Sequence, residues 1–184
     1  MIIFDLDGTL ANCEHRRHFV DPFKNEKYKY RFYGFDHPSG KKGGFHNIDT
    51  EKCDFKPDWK AFNQACNEDP AIWPVVRAIE SLHLNNVTLE GCEIQIWSGR
   101  CESVRDRTEH WLKYIVGEHT YSKLRMRPID SNTPDDEMKE SWLDEVISEG
   151  KTIDFVFDDR PKVVRMWRRR GIFVFNCCQH EQEF

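Results

Sequence analysis

No apolar run in the 184 residues approaches the roughly 20 needed to cross a bilayer as a helix. The chain opens directly on the strand-like MIIF, with no charged leader ahead of an apolar stretch. A secretory signal is therefore not expected, and a cytoplasmic location is. Cysteine is present seven times, an odd number, but never in the short paired spacing of a zinc site. The adjacent Cys177 and Cys178 suit neither a normal bridge nor a tetrahedral site, so reduced and mostly buried thiols are expected. An excess of positive charge is also missing: the formal net charge is −5. That excludes coating nucleic acid through bulk charge, while leaving room for a local basic groove. Internal repeats and low-complexity tails are absent too.

What is there suits one domain, residues 1–184, with a sizeable core and a well-solvated surface: 39% of residues are hydrophobic and 32% charged. Five short apolar runs stand out, Met1–Leu6, Cys92–Trp97, Lys123–Arg127, Ile153–Phe157 and Ile172–Asn176. Segments of helical period lie between most of them: 58–67, 75–84, 103–114, 135–148 and 161–170. Pro57 and Pro74 mark helix starts, and Gly150 and Gly171 mark helix ends. Strands alternating with helices predict an α/β, Rossmann-like three-layer sandwich around a mainly parallel five-stranded sheet.

Residues 21–56 break this rhythm. The stretch DPFKNEKYKYRFYGFDHPSGKKGGFHN is rich in aromatics, lysine and glycine and has no helical period. Its YKYRF alternation predicts a strand, and the glycines around 40–44 a turn. Between residues 21 and 47 six Lys/Arg face three Asp/Glu, a local +3 that leaves −8 for the rest of the chain. The segment reads as a cap-like insertion after the first strand. Its basic and aromatic mixture fits a surface that stacks bases and tracks phosphates, and equally a set of rings that anchor a cap.

Three apolar runs end in polar corners: the first in Asp5-Leu6-Asp7-Gly8-Thr9, the second in Ser98-Gly99-Arg100, the fourth in Asp158-Asp159-Arg160. In a parallel sheet such corners share one edge, so Asp5, Asp7, Ser98, Asp158 and Asp159 are expected around one point. Four carboxylates there repel one another unless a cation sits among them, and oxygen-only ligands select a hard ion such as Mg²⁺. An aspartate can attack phosphorus and carry the phosphoryl group, while a second carboxylate two residues on protonates the leaving oxygen and later activates water. Ser98 and nearby backbone N–H groups can hold a phosphoryl oxygen. A cation must offset the charge of the transition state; Lys139, early in the fourth helix, is the candidate, although by itself it reads as a solvated surface lysine.

These four elements, in this order, resemble the motifs of the haloacid dehalogenase superfamily phosphatases. FDLDGTLA, WSGR, the helix with Arg107, His110 and Trp111, DDEMK and FDDRPKVVRMWRRRG are further similar to the 3′-phosphatase domain of bacteriophage polynucleotide kinase–phosphatases. The resemblance implies Asp5 as nucleophile, Asp7 as general acid and base, and Mg²⁺ held by Asp5, the Asp7 carbonyl and the Asp158/Asp159 pair. It places substrate-site arginines at Arg16 or Arg17 and at Arg100, with Thr9 and Gly99 beside the phosphate. The expected partner is a phosphorylated nucleotide or nucleic-acid end, first a 3′-phosphate and alternatively a mononucleotide 5′-phosphate. No GxxxxGK[ST] is present, so a 5′-kinase activity has no visible seat.

A non-catalytic receiver domain also uses aspartate, Mg²⁺ and a parallel sheet. It would carry its acidic pair after the first strand and its acceptor on a middle one, and DxDGT at the first strand does not fit that order. The basic cluster Arg160, Lys162, Arg165 and Arg168–Arg170 reads either as a wall for a nucleic-acid backbone or as a solvated helix face with cations toward its C-terminus. Trp97 reads as core packing beneath the site, and His15 and His18 as neutral surface histidines.

Overall fold

The computed structural model describes residues 1–22, 24–26, 55–88 and 92–178. Most of the expected insertion 21–56, with its predicted strand and turn, lies outside the described residues. The chain forms two compact units, one made of 1–13 and 67–184, the other of 14–66.

In the larger unit five strands form one parallel sheet: β1 (Ile2–Phe4), β2 (Ile94–Cys101), β3 (Lys123–Arg127), β4 (Phe155–Asp158) and β5 (Phe173–Asn176). Their order is β3-β2-β1-β4-β5, with β1 in the middle. Ile3 faces Gln95 on one side and Val156 on the other. This central position is why MIIF is an unbroken apolar run: Ile2, Ile3 and Phe4 are buried on both faces of the sheet. The second strand departs from expectation. It continues through Ser98-Gly99-Arg100, where the sequence predicts a loop, with a shift of register against β3 between Trp97 and Cys101. Such an irregularity re-aims side chains at a sheet's end.

The helices of this unit are α2 (Trp73–Thr88), α3 (Arg105–Ile115), α4 (Asp135–Ser148) and α5 (Pro161–Arg169); α1 (Trp59–Gln64) belongs to the smaller unit. Right-handed crossovers put α2 and α3 on one face and α4 and α5 on the other, giving the three expected layers. The α4/α5 layer closes over Ile3, Trp97, Val156 and Val174 with Leu143, Val146, Val163, Val164, Met166 and Trp167. Each such side chain contributes about 1.5–3 kcal/mol by leaving water. Trp97 packs edge-on against Trp142 beneath the sheet's polar end, as expected for a core residue.

Helix ends follow local chemistry. Pro161 opens α5, and Arg168 and Arg169 lie in its last turn, where cations suit the helix dipole. Asp135, Asp136 and Glu137 occupy the first turn of α4. In the smaller unit Asp58 caps α1 by accepting from the Ala61 N–H at 2.8 Å. No disulfide joins the described cysteines; only Cys13 and Cys66 are fully buried, fewer than the composition suggests.

Candidate active site

The first strand stops because the chain folds back on itself. The Leu6 carbonyl accepts from the N–H groups of Thr9, Leu10 and Ala11, while Asp5 N–H still donates to the Phe157 carbonyl at 2.9 Å. The carboxylate of Asp5 is thus held at the carboxyl end of β1, next to the end of β4. Gly8 makes the turn with φ +91°, and a β carbon there would lie 2.1 Å from Asp159 Oδ2. Only glycine both adopts this backbone and lets Asp159 approach. Buried Thr9 offers its hydroxyl to Asp159 Oδ1 at 3.5 Å.

Asp5, Asp158 and Asp159 each bring a carboxylate oxygen to within 4.8 Å of the others. Lys139 reaches this cluster from α4 and is only 3% exposed, against the surface reading of its sequence context. Its Nζ donates to Asp5 Oδ1 at 2.6 Å and to Asp158 Oδ2 at 2.8 Å. Asp158 also accepts from the Arg160 N–H at 3.1 Å and from Trp167 Nε1 at 3.4 Å.

The electrostatics follow from one cation set among three carboxylates, of which Asp5 and Asp158 are buried and Asp159 is half-buried. Burial pushes Asp5 up to about 8; Lys139 opposes that shift, and Asp158 and Asp159 reinforce it. Burial and the Asp158 charge raise Asp159 to about 6. Burial disfavours the ammonium of Lys139, but Asp158 and Asp5 outweigh it and hold Lys139 above the usual lysine range. A single ammonium does not balance three carboxylates, and the donor set is all oxygen. A hard divalent cation fits that excess, with Asp5, Asp158 and Asp159 as the side chains able to hold it.

The carboxylate of Asp7 stands apart from this trio. Its Oδ1 accepts from Arg100 Nε at 2.9 Å and NH2 at 2.6 Å, and the same NH2 meets Asp69 Oδ2 at 2.6 Å. Arg100 and Asp69 are both buried. Ser98 is buried and accepts the Arg100 N–H at 3.1 Å. Gly99 lies beside Asp135: a β carbon there would sit 3.1 Å from Asp135 Oδ1. Arg127 donates to the Gly99 carbonyl at 3.1 Å and pairs with Asp135, which Arg160 also engages.

The structure therefore brings together Asp5, Asp7, Thr9, Ser98, Gly99, Arg100, Lys139, Asp158 and Asp159 at one end of the sheet. Arg16 and Arg17 belong to the smaller unit. There Arg16 is buried, stacks over the Phe62 ring at 4.0 Å and donates to the Phe62 carbonyl at 3.2 Å. Arg17 Nε lies 3.4 Å from Glu14. Sequence reasoning missed Asp69, Arg127 and Asp135; the one available signal was the acid in CNEDP, set between two polar residues and a proline. It also missed Cys177, whose N–H donates to the Asp158 carbonyl at 2.9 Å. Burial, with Asp159, Asp5 and Asp158 adding to it, pushes that thiol up to about 12.

The basic cluster of α5 is largely consumed within the fold. Lys162 pairs with Asp136 at 2.9 Å, Arg169 with Glu140 at 2.7 Å, and Arg170 with Glu140 at 3.1 Å and Asp144 at 2.6 Å. With Arg160 on Asp135, these pairs tie α5 to α4. No helix of the described residues is long and apolar enough to cross a membrane.

Comparison with known proteins gives the family and the fold. Residues 58–182 match the family model of the polynucleotide kinase PNKP phosphatase domain, a span that begins after the Asp5–Thr9 motif. A protein of Autographa californica nuclear polyhedrosis virus named as a bifunctional polynucleotide kinase/RNA ligase is 37% identical over 92 residues, covering 50% of this chain and 13% of its own length. A chain of the Pnkp1/Rnl/Hen1 complex superposes with TM-score 0.60 at 22% identity, over 98% of this chain and 46% of that one. A haloacid dehalogenase-like hydrolase of Streptococcus pneumoniae superposes with TM-score 0.57 at 14% identity, over 95% and 82%. This chain spans less than half of the viral relative and of the complex's chain, and structural likeness at these identities shows the fold. The family model covers well over half of the chain, and on that match the protein belongs to the polynucleotide kinase–phosphatase branch of the haloacid dehalogenase-type phosphatases.

Proposed function

We propose that this phosphatase removes a 3′-phosphate from a nucleic-acid end through a phosphoryl group carried on Asp5. The reading rests above all on one observation: Asp5 lies in contact with Lys139, beside Asp158 and Asp159, while Asp7 is held two residues away by Arg100. A carboxylate oxygen of Asp5 forms the bond to phosphorus as the bond from phosphorus to the 3′-oxygen breaks. Asp7 donates a proton to that departing oxygen. A water then gives a proton back to Asp7 and attacks phosphorus, which frees phosphate and regenerates Asp5.

Ser98 and the N–H groups after it orient the phosphoryl oxygens, and Lys139 offsets their charge in both steps. Arg100 fixes the direction of Asp7, and Asp69 in turn fixes Arg100. Mg²⁺ bound at Asp5, Asp158 and Asp159, with the Asp7 carbonyl, would add positive charge beside the phosphate. A mononucleotide substrate is the second reading, favoured by the pairing of Lys162, Arg169 and Arg170 with acids of α4, which shortens the basic track a polynucleotide backbone would use.

The test compares Asp5→Asn with the parent protein on a 3′-phosphorylated oligonucleotide and on nucleoside 5′-monophosphates, at two salt concentrations. The expected outcome is loss of turnover on the order of 10³-fold or more with the fold retained. Oligonucleotide hydrolysis should dominate and fall steeply with salt. Near-normal turnover by Asp5→Asn defeats the mechanism, and a preference for the monophosphates defeats the 3′-end assignment.

A further inference from the structure

The segment just before α2 leads into an exposed indole, that of Trp73 at the first position of the helix. Ile72 N–H donates to the Leu10 carbonyl and Asn12 N–H to the Pro70 carbonyl, both at 2.8 Å, and Ala71 bridges to Ala11. Residues 70–72 are therefore bonded to the loop that follows Asp7. Leu10 is three residues from Asp7 in a tight turn, and Trp73 is one residue beyond Ile72. At about 3.8 Å per chain step and about 5 Å across the Leu10–Ile72 hydrogen bond, the Trp73 backbone lies at most about 20 Å from Asp7, within the span of a short nucleic-acid end.

The same segment supplies Asp69 to Arg100 and, through its carbonyl, accepts from Trp111 Nε1 at 2.7 Å, so it is fixed from below. Trp73 opens α2 yet is 54% exposed, while Val76 and Ile79 of the same helix are fully buried. The exposed Arg107, on the first turn of α3, adjoins the segment through Asn67 at 3.5 Å. A large flat exposed ring, opening a helix whose lead-in is bonded to the loop after Asp7, is the arrangement that stacks a base of single-stranded nucleic acid.

We propose that Trp73 is a specificity residue that stacks on the base of the terminal nucleoside, and so selects substrates in which a base accompanies the phosphate. This inference rests on the nucleic-acid reading given above. Stacking of one base on one aromatic side chain corresponds to about a fivefold to hundredfold change in binding.

The test uses two 3′-phosphorylated oligonucleotides that differ only at the terminal residue, one with its base and one abasic. The parent protein should favour the base-bearing substrate by about fivefold to hundredfold in kcat/KM, expressed in KM. Trp73→Ala should bring that ratio toward one, and Trp73→Phe should keep most of it. Equal rates on both substrates with the parent protein overturn the inference alone, as does an equal loss on both with Trp73→Ala. Failure of the parent protein to hydrolyse either oligonucleotide, with turnover of simple phosphomonoesters intact, overturns the nucleic-acid reading and the inference with it.

Discussion

Gly8 and Asp159 come so close that a single methyl group cannot fit between them: a β carbon on Gly8 would stand 2.1 Å from Asp159 Oδ2. The late acidic pair is seated against the first loop, although 150 residues of chain separate the two. Gly8→Ala must therefore push Asp159 out and also hold a side chain at φ +91°. A stability loss of about 1–3 kcal/mol is expected from the backbone alone. Displacement of Asp159 should weaken Mg²⁺ binding at least tenfold, read by calorimetric titration. Unaltered Mg²⁺ affinity would separate Asp159 from the metal site.

Lys139 is the only described cation in contact with both Asp5 and Asp158. Lys139→Met keeps the length of the stem and deletes the charge, leaving two buried carboxylates facing each other. Without metal the variant should lose about 3–5 kcal/mol, measured by urea unfolding. Added Mg²⁺ should restore more stability to this variant than to the parent, because it replaces the missing positive charge. Equal Mg²⁺ stabilisation of both proteins would show that the lysine and the ion act on different groups.

Removal of divalent metal should abolish phosphatase activity, and Mg²⁺ should restore it. Binding to the folded state alone also raises thermal stability. At a hundredfold excess over the dissociation constant the gain is about 2.7 kcal/mol, or about 5–10 °C in Tm for a chain of this size. Full turnover in chelator would contradict the metal assignment.

Glu93 offers a pH test away from the site. The Gln95 amide donates to it at 2.7 Å, and Ser122 and Lys151 add contacts at 2.9 and 3.2 Å, holding its carboxyl below the usual range. Ionised Glu93 is therefore favoured by folding. Its stabilisation is present at neutral pH and is lost as pH falls through the lowered value. Glu93→Gln should cost about 0.5–1 kcal/mol at pH 7, since the group is partly exposed, and nothing once the parent carboxylate is protonated. The difference in unfolding free energy between the two proteins, followed from pH 7 to pH 3, should shrink to zero.

Much of the fold was legible in the chain. Lys123–Arg127 coincides with β3, and the other four apolar runs contain or overlap their strands; central β1 is continuously apolar because it is buried on both faces, while the edge strands β3 and β5 keep charged or exposed positions. The error at Ser98–Cys101 has a cause: polar residues can extend a strand where its end faces a site rather than the core. Lys139 was legible only through its place among the motifs. Its burial depends on two carboxylates from β1 and β4 that no local pattern around DDEMK reveals.

The sequence by itself determined the alternation of strands and helices, and placed Asp5, Asp7 and the Asp158-Asp159 pair at strand ends, with Ser98 in the polar stretch that extends β2. Those are consequences of apolar periodicity and of where polar residues interrupt it. Only the tertiary structure decided which charge answers which. Arg100 holds Asp7 across 93 residues and Asp69 across 31, and Lys162, Arg169 and Arg170 are taken up by Asp136, Glu140 and Asp144 of α4. Ion pairing depends on distance in space, and packing alone sets that distance.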